Sequence, residues 1–212
     1  MRERRLPVFG VLAAGAAVLV AFATALPVGA STPVNTTHSC VASALGQTVT
    51  TNQSDVVDVT APASATNGTQ FQVVLAPEPQ MAPSSAGGFT IVSIKNATLR
   101  ITVGNASVVG TPTLSGGSSN VGTTGVSVSG NVISVTASGP IPGGSTFTLP
   151  TLTANLQAGS AGSAATTSLI GTSSSPDLTF TTVVRSGVFT INAPTNCVPV
   201  PSPTTLSSTS VT

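Results

Sequence analysis

The stretch Val126-Ser127-Val128-Ser129-Gly130-Asn131-Val132-Ile133-Ser134-Val135 decides the fold class. Two runs in which β-branched residues alternate with serine flank a Gly-Asn pair. That pair meets the positive-φ requirement of a two-residue type I′ or II′ turn at little steric cost. The segment reads as a β-hairpin, with alternate side chains of each arm on one face.

The same period of two recurs on either side. Phe71, Val73 and Leu75 alternate with polar or smaller neighbours, as do Leu99, Ile101 and Val103, with Arg100 facing outward. Further strands are expected at residues 56–60, 90–94, 145–149, 151–156, 177–184 and 188–192, each bounded by Gly, Pro, Ser or Asn. About ten strands suit two packed sheets better than one open sheet. No helical periodicity occurs beyond residue 30. The expected fold is all-β, an antiparallel Ig-like or Greek-key two-sheet sandwich behind an N-terminal signal helix.

Three segments are expected. Residues 1–30 carry Arg2, Arg4 and Arg5, then an apolar stretch from Leu6 to Leu26, then Val28-Gly29-Ala30, the layout of a secretory signal peptide cut after Ala30. Cleavage after Ala25 and retention as a membrane anchor are the alternatives. Residues 31–198 form the sandwich domain, with 77–88, rich in Pro and Gly, as a long loop over one end. Residues 199–212, three prolines followed by Ser and Thr, lack apolar area to offset ordering entropy and read as a flexible tail.

Without the signal segment the charged residues are Lys95, Arg100 and Arg185 against Asp55, Asp58, Glu78 and Asp177, a net of −1. Three cations cannot build the basic face that nucleic-acid binding needs, so that partner is excluded. Cys40 and Cys197 are the two cysteines, and an even count in an exported chain points to one disulfide. Closing so long a loop stabilises by about 5 kcal/mol in the chain-entropy model.

Catalytic constellations are missing. His38 is the sole histidine and falls near the start of the exported chain, where it is expected to be solvated. No Gly-x-Ser-x-Gly elbow activates a serine. Asp55 and Asp58, three apart, point to opposite faces of a strand and do not converge. Calcium through Asp55, Asp58 or Asp177 is a weaker alternative, and one His with two bridged Cys cannot fill a transition-metal shell. No metal, cofactor or catalytic residue is therefore expected. With no Trp and no Tyr, stacking on sugar rings is disfavoured, and the five phenylalanines beyond residue 30 read mostly as core. Asn-x-Ser/Thr sequons at Asn35, Asn52, Asn67, Asn96 and Asn105 arise readily in so polar a composition.

Pro140-Ile141-Pro142-Gly143-Gly144 running into Phe147-Thr148-Leu149-Pro150-Thr151-Leu152, then Leu178-Thr179-Phe180-Thr181 and Ile191-Asn192-Ala193-Pro194-Thr195-Asn196-Cys197, carry a resemblance. With the Cys40 region, these segments resemble a group of exported actinobacterial β-sandwich proteins of unknown function with paired terminal cysteines. The resemblance implies the fold and the extracellular or cell-envelope compartment, and brings no catalytic residue. The functional expectation is a non-catalytic structural or binding protein that presents polar loops to a cell-wall polymer or protein partner. The alternative is a module holding a small apolar ligand or lipid between its sheets, suited to a high apolar content with few charges.

Overall fold

Strands β1 (Ser31–Ala44) and β2 (Gln47–Thr60) pair antiparallel from Ser31 opposite Thr60 to Ala44 opposite Gln47. At about 3.4 Å per residue this hairpin is close to 48 Å long. The computed structural model to which it belongs describes residues 29–44 and 46–212. The expected signal peptide, residues 1–30, lies outside the described residues except for Gly29 and Ala30, as does the membrane-anchor alternative.

After β2 come β3 (Ser64–Ala65), β4 (Gln70–Pro77), β5 (Gln80–Met81) and β6 (Ser85–Ala86), then the 16-residue β7 (Phe89–Gly104) and β8 (Ala106–Ser115). One turn of 3-10 helix, Ser119–Val121, precedes β9 (Thr124–Ser129) and β10 (Val132–Ala137). The short β11 (Ile141–Pro142) and β12 (Thr146–Phe147) lead into β13 (Thr151–Ala158) and β14 (Ala164–Leu169). The chain ends with β15 (Leu178–Ser186), β16 (Phe189–Pro199) and β17 (Thr204–Val211).

The fold is all-β and sandwich-like, and its layers belong to one hydrogen-bonded path, β17-β14-β7-β15-β16-β1-β2-β4-β13-β8. Strand β7 is the branch point. One edge pairs with β15 from Thr90 to Leu99 and with β14 from Thr102 to Gly104, while the other pairs with β6, β11 and β10. The β9–β10 hairpin has the expected register, Val132 opposite Ser129 around Gly130-Asn131. All these ladders are antiparallel; β17 with β3 is the one parallel pairing among the described residues.

Alternation fills the interior. Phe71, Val73 and Leu75 of β4 and Leu152, Ala154 and Leu156 of β13 meet Ile101 and Val103 of β7, Ile133 of β10 and Leu206 of β17. Burying a side chain such as Phe71, Ile133 or Leu156 contributes about 2 kcal/mol each. A second, smaller cluster gathers Ala82, Val121, Ala137, Ile141 and Phe147.

Several expectations change. The 199–212 segment is not a flexible tail: β17 pairs with β14 and buries Leu206, Ser207, Thr209 and Val211. Its hydroxyls are satisfied inside, Thr209 Oγ1 donating to the Pro62 carbonyl at 2.8 Å and Ser207 Oγ lying 2.7 Å from Thr167 Oγ1. A polar strand can therefore be buried without orphaned donors. Strands β1, β8 and β14 were not anticipated, and the run at 145–149 shortens to Thr146–Phe147. The 77–88 segment does run as a covering loop. It is pinned by β5 against β12, by β6 against β7, and by hydrogen bonds between Ala82 and the 144–145 turn.

Candidate functional site

One face of the β1–β2 hairpin packs on the core only at Val34, Val57 and Val59 and is otherwise turned to open space. The directly opposed pairs Thr36/Asp55, His38/Gln53, Cys40/Thr51 and Ala42/Val49 all face inward, onto a cavity of about 420 Å³. That volume lies within the range of small-molecule sites. The opposite wall comes from β7 and β15, with Ile91, Ile94, Leu99, Leu178, Phe180 and Val184, and the floor includes Leu75, Ile101, Leu152, Leu169 and Leu206. The covering loop closes one side through Gln80, Met81, Ala82, Pro83, Ser85 and Ala86. Met81 is 66 % exposed and marks the rim. Along β1 the lining runs from Thr36 to Ala44, about 27 Å of strand, so the cavity is elongated.

The covering loop sits close. A Cβ at Gly87, whose φ is +56°, would fall 2.4 Å from Val49 Cγ2, so only glycine lets the β6–β7 turn lie on β2.

The cavity lining is mainly apolar, with polar side chains on the hairpin, on the covering segment (Gln80, Ser85) and at Thr136, Thr182 and Thr195, and its ionisable groups lie on the hairpin. His38 is 3 % exposed, and its Nε2 lies 3.0 Å from Asp177 Oδ2. Asp177 is itself 1 % exposed and stands behind the ring, outside the lining. His38 Nδ1 and Asp177 Oδ1 are buried without a hydrogen-bond partner. Asp55 forms part of the lining and accepts a hydrogen bond from Gln53 Nε2 at 3.2 Å through Oδ1. Burial raises the Asp55 pKa above its ordinary 3.8, outweighing the Gln53 hydrogen bond and the nearby His38, which both act the other way. Other hydroxyls in the wall are engaged: Thr182 Oγ1 lies 2.8 Å from Thr195 Oγ1, and Thr36 Oγ1 donates to the Asp55 carbonyl at 3.3 Å. Among the described residues no Lys or Arg lines the cavity.

The sequence led to the expectation of a solvated His38, and the structure corrects this: the side chain is buried. Pairing of β1 with β2 on one edge and β16 on the other fixes His38 between Gln53 and Pro199. Asp55 faces the cavity and Asp58 the opposite side of β2, as their spacing requires, and Asp177 joins His38 instead of either. Cys40 and Cys197 are directly opposed on β1 and β16, bridged, with Cα atoms 4.0 Å apart, and Cys40 forms part of the cavity wall. Of the phenylalanines, Phe71 is core, Phe89, Phe147 and Phe180 line the cavity, and Phe189 is 72 % exposed on the β15–β16 turn. Among the described residues no three His, Cys, Asp or Glu side chains gather to hold a metal ion. A cavity of this kind leaves one trace in sequence: an inward strand face of small and polar residues, Thr36, His38, Cys40, Ala42, Ala44, where a packed core would put large apolar ones.

No family model and no curated protein matches the chain. Among solved structures, the chain is similar to a "Putative membrane anchored protein" from Corynebacterium diphtheriae, with a TM-score of 0.53 and 21 % identity. The match covers 85 % of this chain and 38 % of that one, so the chain spans well under half of its neighbour's length, and what the two share is the β-sandwich fold.

Proposed function

We propose that the protein is an exported, non-catalytic binding protein of the cell envelope that holds an apolar chain in the cavity between its layers. The observation that carries this reading is the elongated apolar cavity, about 420 Å³, walled by one face of the β1–β2 hairpin and covered by the 80–86 segment. Each methylene moved from water into such a wall contributes about 0.8 kcal/mol, so an alkyl chain is retained without strong polar contacts. The cavity favours this over the reading in which polar loops engage a wall polymer or partner protein.

Export is supported by the disulfide, which persists in oxidising compartments. It is in keeping with a fold neighbour whose name calls it membrane anchored. A non-catalytic role is supported by the surroundings of His38: Asp177 holds its Nε2, and no hydroxyl or thiol of the described residues is hydrogen-bonded to the other ring nitrogen, Nδ1.

Native mass spectrometry of protein purified from its own host tests the reading. A retained mass that organic solvent extracts supports it. Protein that emerges empty and fails to bind N-phenyl-1-naphthylamine, an apolar fluorescent probe, overturns it.

A further inference from the structure

Among the described residues the cavity wall carries ionisable side chains in one place, at His38 and Asp55, and their chemistry selects what can sit there. We infer that the bound molecule is an amphiphile whose polar end is an uncharged hydrogen-bond donor, a hydroxyl above all, held by the Asp55 carboxyl beside His38. This deepens the apolar-chain reading and rests on it.

Among the described residues the cavity wall carries one acid, Asp55, and one histidine, His38, with no Lys or Arg. A carboxylate or phosphate head would enter facing an acidic side chain with no cation to receive it, and burying an unpaired anion is costly. A hydroxyl head meets the opposite situation. Asp55 lines the cavity, its Oδ1 is engaged by Gln53, and its Oδ2 accepts no side-chain hydrogen bond from the described residues, so Oδ2 is free to accept from a donor. His38 supports this place from the side. Asp177, behind the ring, fixes its Nε2, and the other ring nitrogen, Nδ1, is buried with no partner, a second polar atom of the same cluster left unsatisfied. Thr36, Thr182 and Thr195 are already engaged with the protein and do not compete. Since β1 and β2 continue from Asp55 and His38 toward Ala44 and Gln47, an alkyl chain anchored here runs along the hairpin toward its tip.

Displacement of N-phenyl-1-naphthylamine from the full chain tests this with dodecanol and its methyl ether, which share a chain and differ in the donor. Wild-type protein is expected to bind the alcohol about tenfold more tightly than the ether, the value of one hydrogen bond to a charged or strongly polar acceptor. Asp55→Leu is expected to bring the two ligands to within about twofold of each other, each measured against the variant's own affinity for the probe. Asp55→Asn is expected to improve the binding of dodecanoate, which wild-type protein disfavours, by about tenfold, because the repelling acid is gone. Equal affinity of wild-type protein for alcohol and ether, or a preference that survives Asp55→Leu, overturns the anchor while leaving the cavity reading standing. Failure of the probe and both ligands to bind wild-type protein overturns the cavity reading itself, and the anchor with it.

Discussion

At the scale of single residues, the cavity wall concentrates unfavourable burial in a few side chains. Asp55 has a folded-state pKa above its unfolded value, so the folded protein binds a proton more readily than the unfolded chain. Stability therefore falls as pH rises from about 4 through the raised folded value. Asp55→Asn removes that dependence: the variant should melt a few degrees higher than wild type at about pH 7, with the gap closing as pH approaches 4. Thermal melts across that range check it, and a gap that widens toward acid refutes it. Asp177→Ala acts differently, leaving His38 Nε2 buried without its acceptor. It should cost about 1–3 kcal/mol in a urea titration, with the cavity still able to bind the apolar probe. Neither effect was legible in the sequence, where Asp177 and His38 are 139 residues apart and nothing local joins them.

Among the elements, legibility followed the chemistry of what each strand buries. The β9–β10 hairpin and strands β4, β7 and β13 show large apolar residues at every second position because they face packed core, and they were readable from sequence. Strand β1 faces the cavity, β17 buries hydroxyls bonded to backbone and to β14, and β8 is an edge strand carrying Gly110 and Pro112. All three broke the pattern for those reasons. The covering segment was read as a loop from its Pro and Gly content, but neither its short strands β5 and β6 nor its closeness to β2 was readable, since the latter depends on Val49 lying under Gly87. Gly87→Val should test that contact. Its Cβ clashes with Val49 and its backbone is held at φ +56°, so the 80–88 segment should lift, with proteolysis in that segment faster and a stability loss of about 1–3 kcal/mol. An unchanged cleavage pattern would mean the loop does not rest on the hairpin.

For the whole molecule, the ordering of the strands makes the two ends of the chain interdependent. The disulfide joins β1, at the start of the domain, to β16, 157 residues later, and β17 follows it to complete the layer over Leu206 and Val211. A flexible tail could be removed without consequence; a strand that buries core residues cannot. Truncation after Pro199 should lower the denaturant midpoint substantially, because Leu206 and Val211 each withdraw about 2 kcal/mol of burial and β14 is left with an unpaired edge. Replacing both cysteines by alanine should cost about 5 kcal/mol by releasing the denatured chain from a 157-residue closure. Because Cys40 also belongs to the cavity wall, the double variant should lose probe affinity at denaturant concentrations where wild-type protein still binds. Cys40 and Leu206 line the same cavity, so the effects of the two changes should not add: the truncated cysteine-free chain should fail to fold rather than fold with the summed loss. Calorimetry of the four combinations decides the point, and simple additivity would show that the C-terminal strand and the disulfide support separate parts of the molecule.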